Sequence, residues 1–179
     1  MDSDDARPAR TLAPNGIHLV RTSQQMQLQL SQMADQKASM LMGATFVVFT
    51  LAVGQVRAGA MTVPIIILAI SAFVSAILSV LTVLPKTHVH DGPVREDDNL
   101  LFFGIFTAMD ERVWADMIID QLEQDETICR TMLRDLYQNG QVLQRKKYKY
   151  LGYAYRIFLA GLGLTFVAFV TELVTGRYV

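Results

Sequence analysis

The sequence predicts an all-α fold, namely an integral membrane helical bundle with three transmembrane helices and a cytosolic helical domain between the second and the third. The clearest observation is the stretch from Met61 to Leu84, which holds twenty-four residues and no charged side chain. As a helix it is ~36 Å long, whereas the hydrocarbon core of a bilayer is ~30 Å thick. The second observation is composition, because 51% hydrophobic residues in a chain of 179 is too apolar for an ordinary small soluble domain.

The transmembrane helix predicted at residues 61–84 carries a stripe of small side chains. Ser71, Ser75 and Ser79 recur at every fourth residue and therefore share one helical face. Small residues let a second helix approach closely in a membrane. This stripe fits contact with another helix of the same chain and contact between two copies of the chain equally well.

The N-terminal third of the chain predicts a tail, a helix and the first span. Residues 1–15 contain acidic residues and prolines with little to bury, so we expect a disordered tail. Residues 16–37 have a helical pattern and predict a cytosolic amphipathic helix, which is expected to continue unbroken into a first transmembrane helix at 38–54. The link at 55–60 allows only a tight turn, so the first two spans are expected to form an antiparallel hairpin.

Residues 86–150 are the only sizeable soluble segment, and they predict a cytosolic helical domain. It opens with a turn signature at Asp91-Gly92-Pro93. His88 and His90 lack an evident third ligand, so we expect no metal site. The apolar stretch from Leu100 to Phe106 is too short to span, and three roles fit it: packing against helices, anchoring at the membrane interface, or stacking on a base.

Two further helices are predicted in this domain. One extends from Glu111 to Gln124 and is amphipathic. The other begins near Thr127 and keeps a helical period into the third transmembrane helix, predicted at 151–174. Asn139-Gly140 is its weak point, because glycine costs about 1 kcal/mol relative to alanine inside a helix and permits a bend.

A basic collar precedes the third span, and it consists of Arg145, Lys146, Lys147 and Lys149 with tyrosines interleaved. This mixture is typical of the cytosolic membrane interface, where lysines meet anionic lipid. It also resembles a nucleic-acid patch, but adjacency to a span favours lipid, and we expect no nucleic acid polymer as partner. Arg156 lies about one turn deeper, where it either snorkels back to the interface or faces the bundle interior and holds an anion.

The distribution of charge predicts the orientation. Lysine and arginine are concentrated before the first span and between the second and third. Since these residues favour the cytosolic side, the N-terminus and residues 86–150 are expected in the cytoplasm and the C-terminus on the opposite side. The single Cys129 excludes an internal disulfide and is interpreted as a packed, inert thiol.

Enzyme signatures are absent from the sequence. It contains no phosphate-binding glycine loop, no HExxH motif and no nucleophile elbow, so we expect neither catalytic residues nor a cofactor. Arg130 and Arg134 are four residues apart and project from one helical face, with Tyr137 one turn further on. Guanidinium groups of this kind bind phosphate, and a tyrosine ring stacks on a base.

Several short motifs, taken in order and spacing, point to one family. They are Ala34-Asp35-Gln36-Lys37-Ala38 before the first span, Asn99 to Gly104, Leu136-Tyr137-Gln138, and Lys147 to Tyr155 entering the third span. Over about residues 24–175 the chain resembles the Pycsar effector family of small bacterial membrane proteins. The resemblance implies a role in anti-phage defence, in which a pyrimidine cyclase makes cyclic CMP or cyclic UMP on infection. Transmembrane effectors of the family respond by impairing the inner membrane, and infection is aborted.

The resemblance supplies no residue map of the ligand site, so candidates are chosen by chemistry. Lys37, Arg130 and Arg134 are candidates for the phosphate, and Phe102, Phe103 and Tyr137 for stacking on the base. Asp35 belongs to the motif without an assigned role. It either contributes to ligand binding or forms an ion pair with Arg145 or Lys147 across the bundle, and Lys37 either binds ligand or merely anchors the interface.

The hypothesis favoured by the sequence is a non-catalytic effector of the bacterial inner membrane. It would form a homo-oligomer through its small-residue faces and respond to a cyclic pyrimidine nucleotide through residues 86–150, acting as a sensor domain. A membrane scaffold that recruits a cytosolic partner protein is the alternative from another class. A membrane hydrolase is a third, which the missing motifs disfavour.

Overall fold

A computed structural model of the chain describes residues 13, 15–84 and 98–176. The described residues form helices and turns and contain no β-strand. The helices are α1 (Gly16–Arg57), α2 (Val63–Val83), α3 (Phe103–Phe106), α4 (Glu111–Gln121), α5 (Asp125–Val142), a π-helical segment (Leu143–Tyr148) and α6 (Lys149–Thr175). The tail predicted at 1–15 for the most part, the turn at Asp91-Gly92-Pro93, and His88 and His90 lie outside the described residues.

Three helices are long and apolar enough to cross a membrane, as predicted. The second, α2, lies within the predicted stretch 61–84 and has Pro64 in its first turn, where the missing N–H costs no helical bond. The first, α1, joins the segments predicted at 16–37 and 38–54 in one helix of 42 residues. The turn after Arg57 contains Gly59 at φ 92°, a conformation that glycine adopts without strain.

The third long helix is continuous from Asp125 to Thr175 and contains 51 residues. It does not break at Asn139-Gly140, the weak point predicted from the sequence. The irregularity comes a few residues later, where Leu143–Tyr148 form a π-helical segment that contains three of the four basic collar residues, all except Lys149. π-Helical segments are rare and frequently occur at functional sites.

The described residues fall into two compact units. The first unit comprises those up to Leu28 together with those from Asp98 to Gly140, and the second comprises Gln29 to Leu84 and Gln141 to Gly176. The second unit therefore holds the three apolar segments. Many of its large apolar side chains are exposed, for example Phe46 and Phe166, as expected of a bundle that faces lipid.

Inside the second unit, α2 and α6 pack through small residues. A Cβ added to Gly161 would overlap the Oγ and Cβ of Ser71, so the two backbones are close. One turn away, Ser75 Oγ donates to the carbonyl oxygen of Ala154 at 2.8 Å, and the Ser75 side chain is fully buried. Contact within the chain thus accounts for the serine stripe, one of the two explanations that the sequence left open.

Other contacts of the second unit hold α1 against α6 and α2. Ala34 and Ala38 are fully buried and cluster with Leu151 at the start of α6. Further along, the rings of Phe49 and Phe73 lie with centroids 5.5 Å apart. Burying alanine rather than larger residues keeps α1 close to α6, in keeping with the packing of transmembrane helices.

In the first unit, the segment that precedes α4 packs against that helix. Trp114 Nε1 donates to the carbonyl oxygen of Leu100 at 2.9 Å, and its ring packs on Phe106 with centroids 5.4 Å apart. Asp110 caps α4 by accepting from the backbone N–H of Arg112 at 3.0 Å. Three roles fitted Leu100 to Phe106 from the sequence. These contacts correspond to the first of them, packing against a helix.

Candidate functional site

The candidate site is assembled around Asp135, in the middle of α5. Its carboxylate accepts from the side-chain amides of Gln24 at 3.0 Å, Asn99 at 2.9 Å and Asn139 at 2.8 Å. Asn99 is 1% exposed, and its side-chain oxygen accepts from the backbone N–H of Leu101 at 3.1 Å. Asp135 therefore holds α1 and the Asn99 to Leu101 turn against α5. It thereby fixes the start of the segment from Leu100 to Phe106, which contains Phe102 and Phe103.

Arg134, next to Asp135, is the phosphate candidate that this arrangement places beside the turn. Its side chain is exposed, and Nη1 lies 3.5 Å from the carbonyl oxygen of Asp98. Arg130 lies one helical turn earlier, where Nε donates to Glu126 at 2.9 Å. With 62% of its side chain exposed, Arg130 forms a surface ion pair worth ~0.3–0.5 kcal/mol, weak enough for a phosphate to compete with Glu126.

The stacking candidates occupy the same unit. Phe102 is half-buried and Phe103 is exposed, and their rings lie with centroids 4.8 Å apart. Tyr137 follows Arg134 by three residues on α5 and is 68% exposed, so its ring is free to contact a ligand. Arg130, Arg134 and Tyr137 thus form one exposed face of α5, and Arg134 is in contact with the segment that leads to Phe102 and Phe103.

Asp35 and Lys37 belong to the second unit and have different environments. Lys147 Nζ donates to Asp35 Oδ2 at 2.6 Å and to Ser31 Oγ at 2.8 Å. This is one of the two ion pairs considered for Asp35 from the sequence. The other carboxylate oxygen, Oδ1, is buried without a hydrogen-bond partner among the described residues. Lys37 is exposed and belongs to the second unit, whereas the other candidate ligand residues belong to the first.

The role of the polar residues that organise the site was not predicted from the sequence. Gln24 and Asp135 were given no role from the sequence, and Asn99 entered only as the first residue of a family motif, because isolated amides and a carboxylate on amphipathic helices resemble solvated surface. The spacing of Asp135 and Asn139, which bond at i and i+4, was a usable signal. Among the described ranges no group of three or more histidine, cysteine or acidic residues is arranged to hold a metal ion.

Comparison with known proteins agrees with this architecture. A family described as PycTM, the Pycsar effector protein domain, matches residues 18–174. No curated protein and no solved structure matches the chain. The matched range includes all three apolar helices and the Asp135 cluster. Because the family match covers most of the chain, this protein belongs to the Pycsar effector family and is a multi-pass transmembrane effector of anti-phage defence.

Proposed function

We propose that the chain is a non-catalytic effector of the bacterial inner membrane that is triggered by cyclic UMP or cyclic CMP. On binding it would oligomerise and impair the membrane, so that infection is aborted. The observation that carries the proposal is the family match over residues 18–174, taken with three membrane-crossing helices. In this proposal the N-terminus and residues 86–150 are cytoplasmic and the C-terminus is periplasmic, in keeping with the positions of lysine and arginine.

The nucleotide is assigned to the exposed face of α5. Arg134 would bind the cyclic phosphate, with Arg130 released from Glu126 to assist, since charge-assisted bonds from arginine to phosphate are strong. Tyr137 and Phe103 are exposed and would stack on the pyrimidine. Lys37 and Phe102 are secondary candidates, because Lys37 belongs to the other unit and Phe102 is partly covered.

Transmission follows from helix continuity. Both α1 and the helix from Asp125 to Thr175 contribute residues to the first unit and continue into apolar segments of the second. A nucleotide that binds one arrangement of the soluble helices more tightly would bias the arrangement of the spans by the same free energy. No catalytic step is needed for such an effector.

The oligomer cannot use the serine stripe of α2 as its main contact, because α6 already covers it. A second pair of small residues, Ser39 and Gly43, lies four residues apart on α1 and is exposed, and a Cβ added at Gly43 meets nothing within 4 Å. We assign the contact between copies to this face, where small residues allow two helices to approach.

Dye-filled liposomes containing the purified full chain test the proposal. Cyclic UMP or cyclic CMP, present on both sides of the membrane, should release dye and increase the oligomer size, whereas cyclic AMP and linear UMP should not. Arg134→Ala should raise the nucleotide concentration needed by about tenfold. Gly43→Leu should block the size increase, and Gly163→Leu, at an equally open site on α6, is its matched control.

Dye release that is identical with and without cyclic pyrimidine nucleotides would contradict the proposal. Capture of a cytosolic protein by the unliganded chain, with no nucleotide effect, would instead support the scaffold alternative. Turnover of the nucleotide by the purified chain would contradict the non-catalytic assignment.

A further inference from the structure

A second polar feature, separate from the α5 face, lies inside the third apolar segment. Arg156 is exposed on α6, and no hydrogen bond or ion pair joins it to any other residue within the described ranges. It is seven residues beyond Lys149, which corresponds to about 10 Å along the helix axis. An arginine inside a membrane helix is costly unless a partner satisfies it, so an exposed one requires a partner from outside the chain.

The direction of the side chain limits where that partner lies. Side chains on a helix lean toward its N-terminus, so the surface within reach of Arg156 is that of the preceding turn, on the side of the basic collar. The residue four positions back is Gly152, and a Cβ added there meets nothing within 4 Å. Glycine thus leaves an open path along which the guanidinium can extend toward the interface. Tyr153 and Lys149, both exposed, flank this path.

We propose that Arg156 binds the phosphate of an anionic membrane lipid, with Gly152 providing the space and with Lys149 and Tyr153 completing the contact at the headgroup. Arginine matches a phosphate with two parallel hydrogen bonds. Tyrosines are enriched at the membrane interface, and a lysine near the surface attracts negative lipid. The site is independent of the messenger and is occupied in the resting protein.

The position of Arg156 within the apolar segment favours a lipid over other sources of phosphate. A nucleotide is a soluble ion and would have to enter the hydrocarbon edge to reach this guanidinium, whereas a lipid phosphate is already at the interface. A second copy of the chain is less suitable as the occupant. Of the two carboxylates in α1, α2 and α6, Asp35 is already paired with Lys147, and Glu172 lies at the far end of α6. The occupant we commit to is therefore a lipid.

Native mass spectrometry of the purified full chain, titrated with phosphatidylglycerol, tests the proposal, with phosphatidylcholine as the reference lipid. Arg156→Leu should weaken phosphatidylglycerol binding by about fivefold, and Arg156→Lys should retain part of it. Gly152→Leu keeps the arginine but closes its path and should weaken binding to a similar extent. Gly163→Leu, at an open position deeper in the same helix, should leave binding unchanged.

Equal phosphatidylglycerol binding by Arg156→Leu and the unaltered chain would overturn the proposal. A loss in Gly163→Leu as large as in Gly152→Leu would assign this face to a second copy and would overturn it as well. Displacement of phosphatidylglycerol by saturating cyclic UMP would show that Arg156 holds the nucleotide instead. Binding that persists with cyclic UMP supports the lipid assignment, and this outcome is independent of whether the messenger triggers leakage.

Discussion

Lys147 Nζ lies 2.6 Å from Asp35 Oδ2, so the π-helical segment and α1 are joined by an ion pair at the edge of the apolar bundle. The adjacent Lys146 donates to the carbonyl oxygen of Leu84, at the end of α2, at 2.8 Å. Two consecutive lysines therefore connect one helical segment to both of the other apolar helices. The motif residue Asp35 therefore has a structural partner in Lys147.

Asp35→Ala should destabilise the bundle. The Lys147 side chain is 21% exposed, so the variant leaves a partly buried cation without its carboxylate, and we expect a loss of about 1–2 kcal/mol in the free energy of unfolding. Denaturant unfolding in detergent, followed by circular dichroism, measures this loss. Arg130→Ala removes an exposed pair and is the control, with an expected change below ~0.5 kcal/mol. Equal stability of the two variants would refute the prediction.

Gly161→Ala should separate α2 from α6. The added methyl group overlaps Ser71 Oγ and Cβ, and overpacking of a close helix contact costs about 1–3 kcal/mol or more. Gly163→Ala, two residues on and without a neighbour within 4 Å, should not destabilise. The double variant Gly161→Ala with Ser71→Gly removes the overlapping atoms and should recover stability in thermal unfolding. Failure of Ser71→Gly to rescue would mean that the helices are not close at this point.

Asp135→Ala should loosen the first unit. It removes the carboxylate acceptor of three amide groups, of which Gln24 keeps a second acceptor in the Met132 carbonyl oxygen at 3.4 Å. For the buried Asn99 alone the cost is about 1–3 kcal/mol. The chain has one tryptophan, Trp114, which bonds to Leu100 beside Asn99, so its fluorescence reports this unit. We expect the fluorescence transition to shift to lower denaturant concentration. Asp116→Ala, at an exposed position on α4, should shift it little.

Deletion of Gln144 tests the π-helical segment. A π-helical bulge holds one residue more than an α-helix of the same span, so removing an exposed residue should give a regular helix with both flanks in their original register. The protein should fold with unchanged helical content. Under the proposed function its nucleotide-triggered dye release should fall, while Gln144→Ala releases dye normally. Loss of folding in the deletion variant would contradict this reading of the segment.

Much of the fold was predictable because the membrane imposes long, uncharged stretches. The span predicted at 61–84 and the helix α2 differ by one or two residues at each end, and the all-α class follows from the same constraint. The amphipathic helix predicted to end at Gln124 ends at Gln121, since a separate turn precedes Asp125. The π-helical segment was not predicted, because its residues have ordinary helical propensity.

The candidate site was less predictable than the spans. One face of α5 carries Arg130, Arg134 and Tyr137, as their spacing indicated. Residues three or four positions apart are neighbours on any α-helix, so this part of the site follows from the sequence. The position of Phe102 and Phe103 depends instead on a turn held by Asn99 and Asp135, which are 36 residues apart. Hydrogen bonds between such distant polar residues have no periodic signature. The roles of the candidate ligand residues therefore stay predictions.

The close contact of α2 with α6 reduces the number of independent bodies in the bundle. Lipid tails offer no hydrophobic force to hold helices together, so the interlocked backbones at Ser71 and Gly161 and the bond from Ser75 provide that cohesion. The pair would travel as one piece during any rearrangement. Any opening of the bundle would then separate α1 from a joined α2–α6 pair.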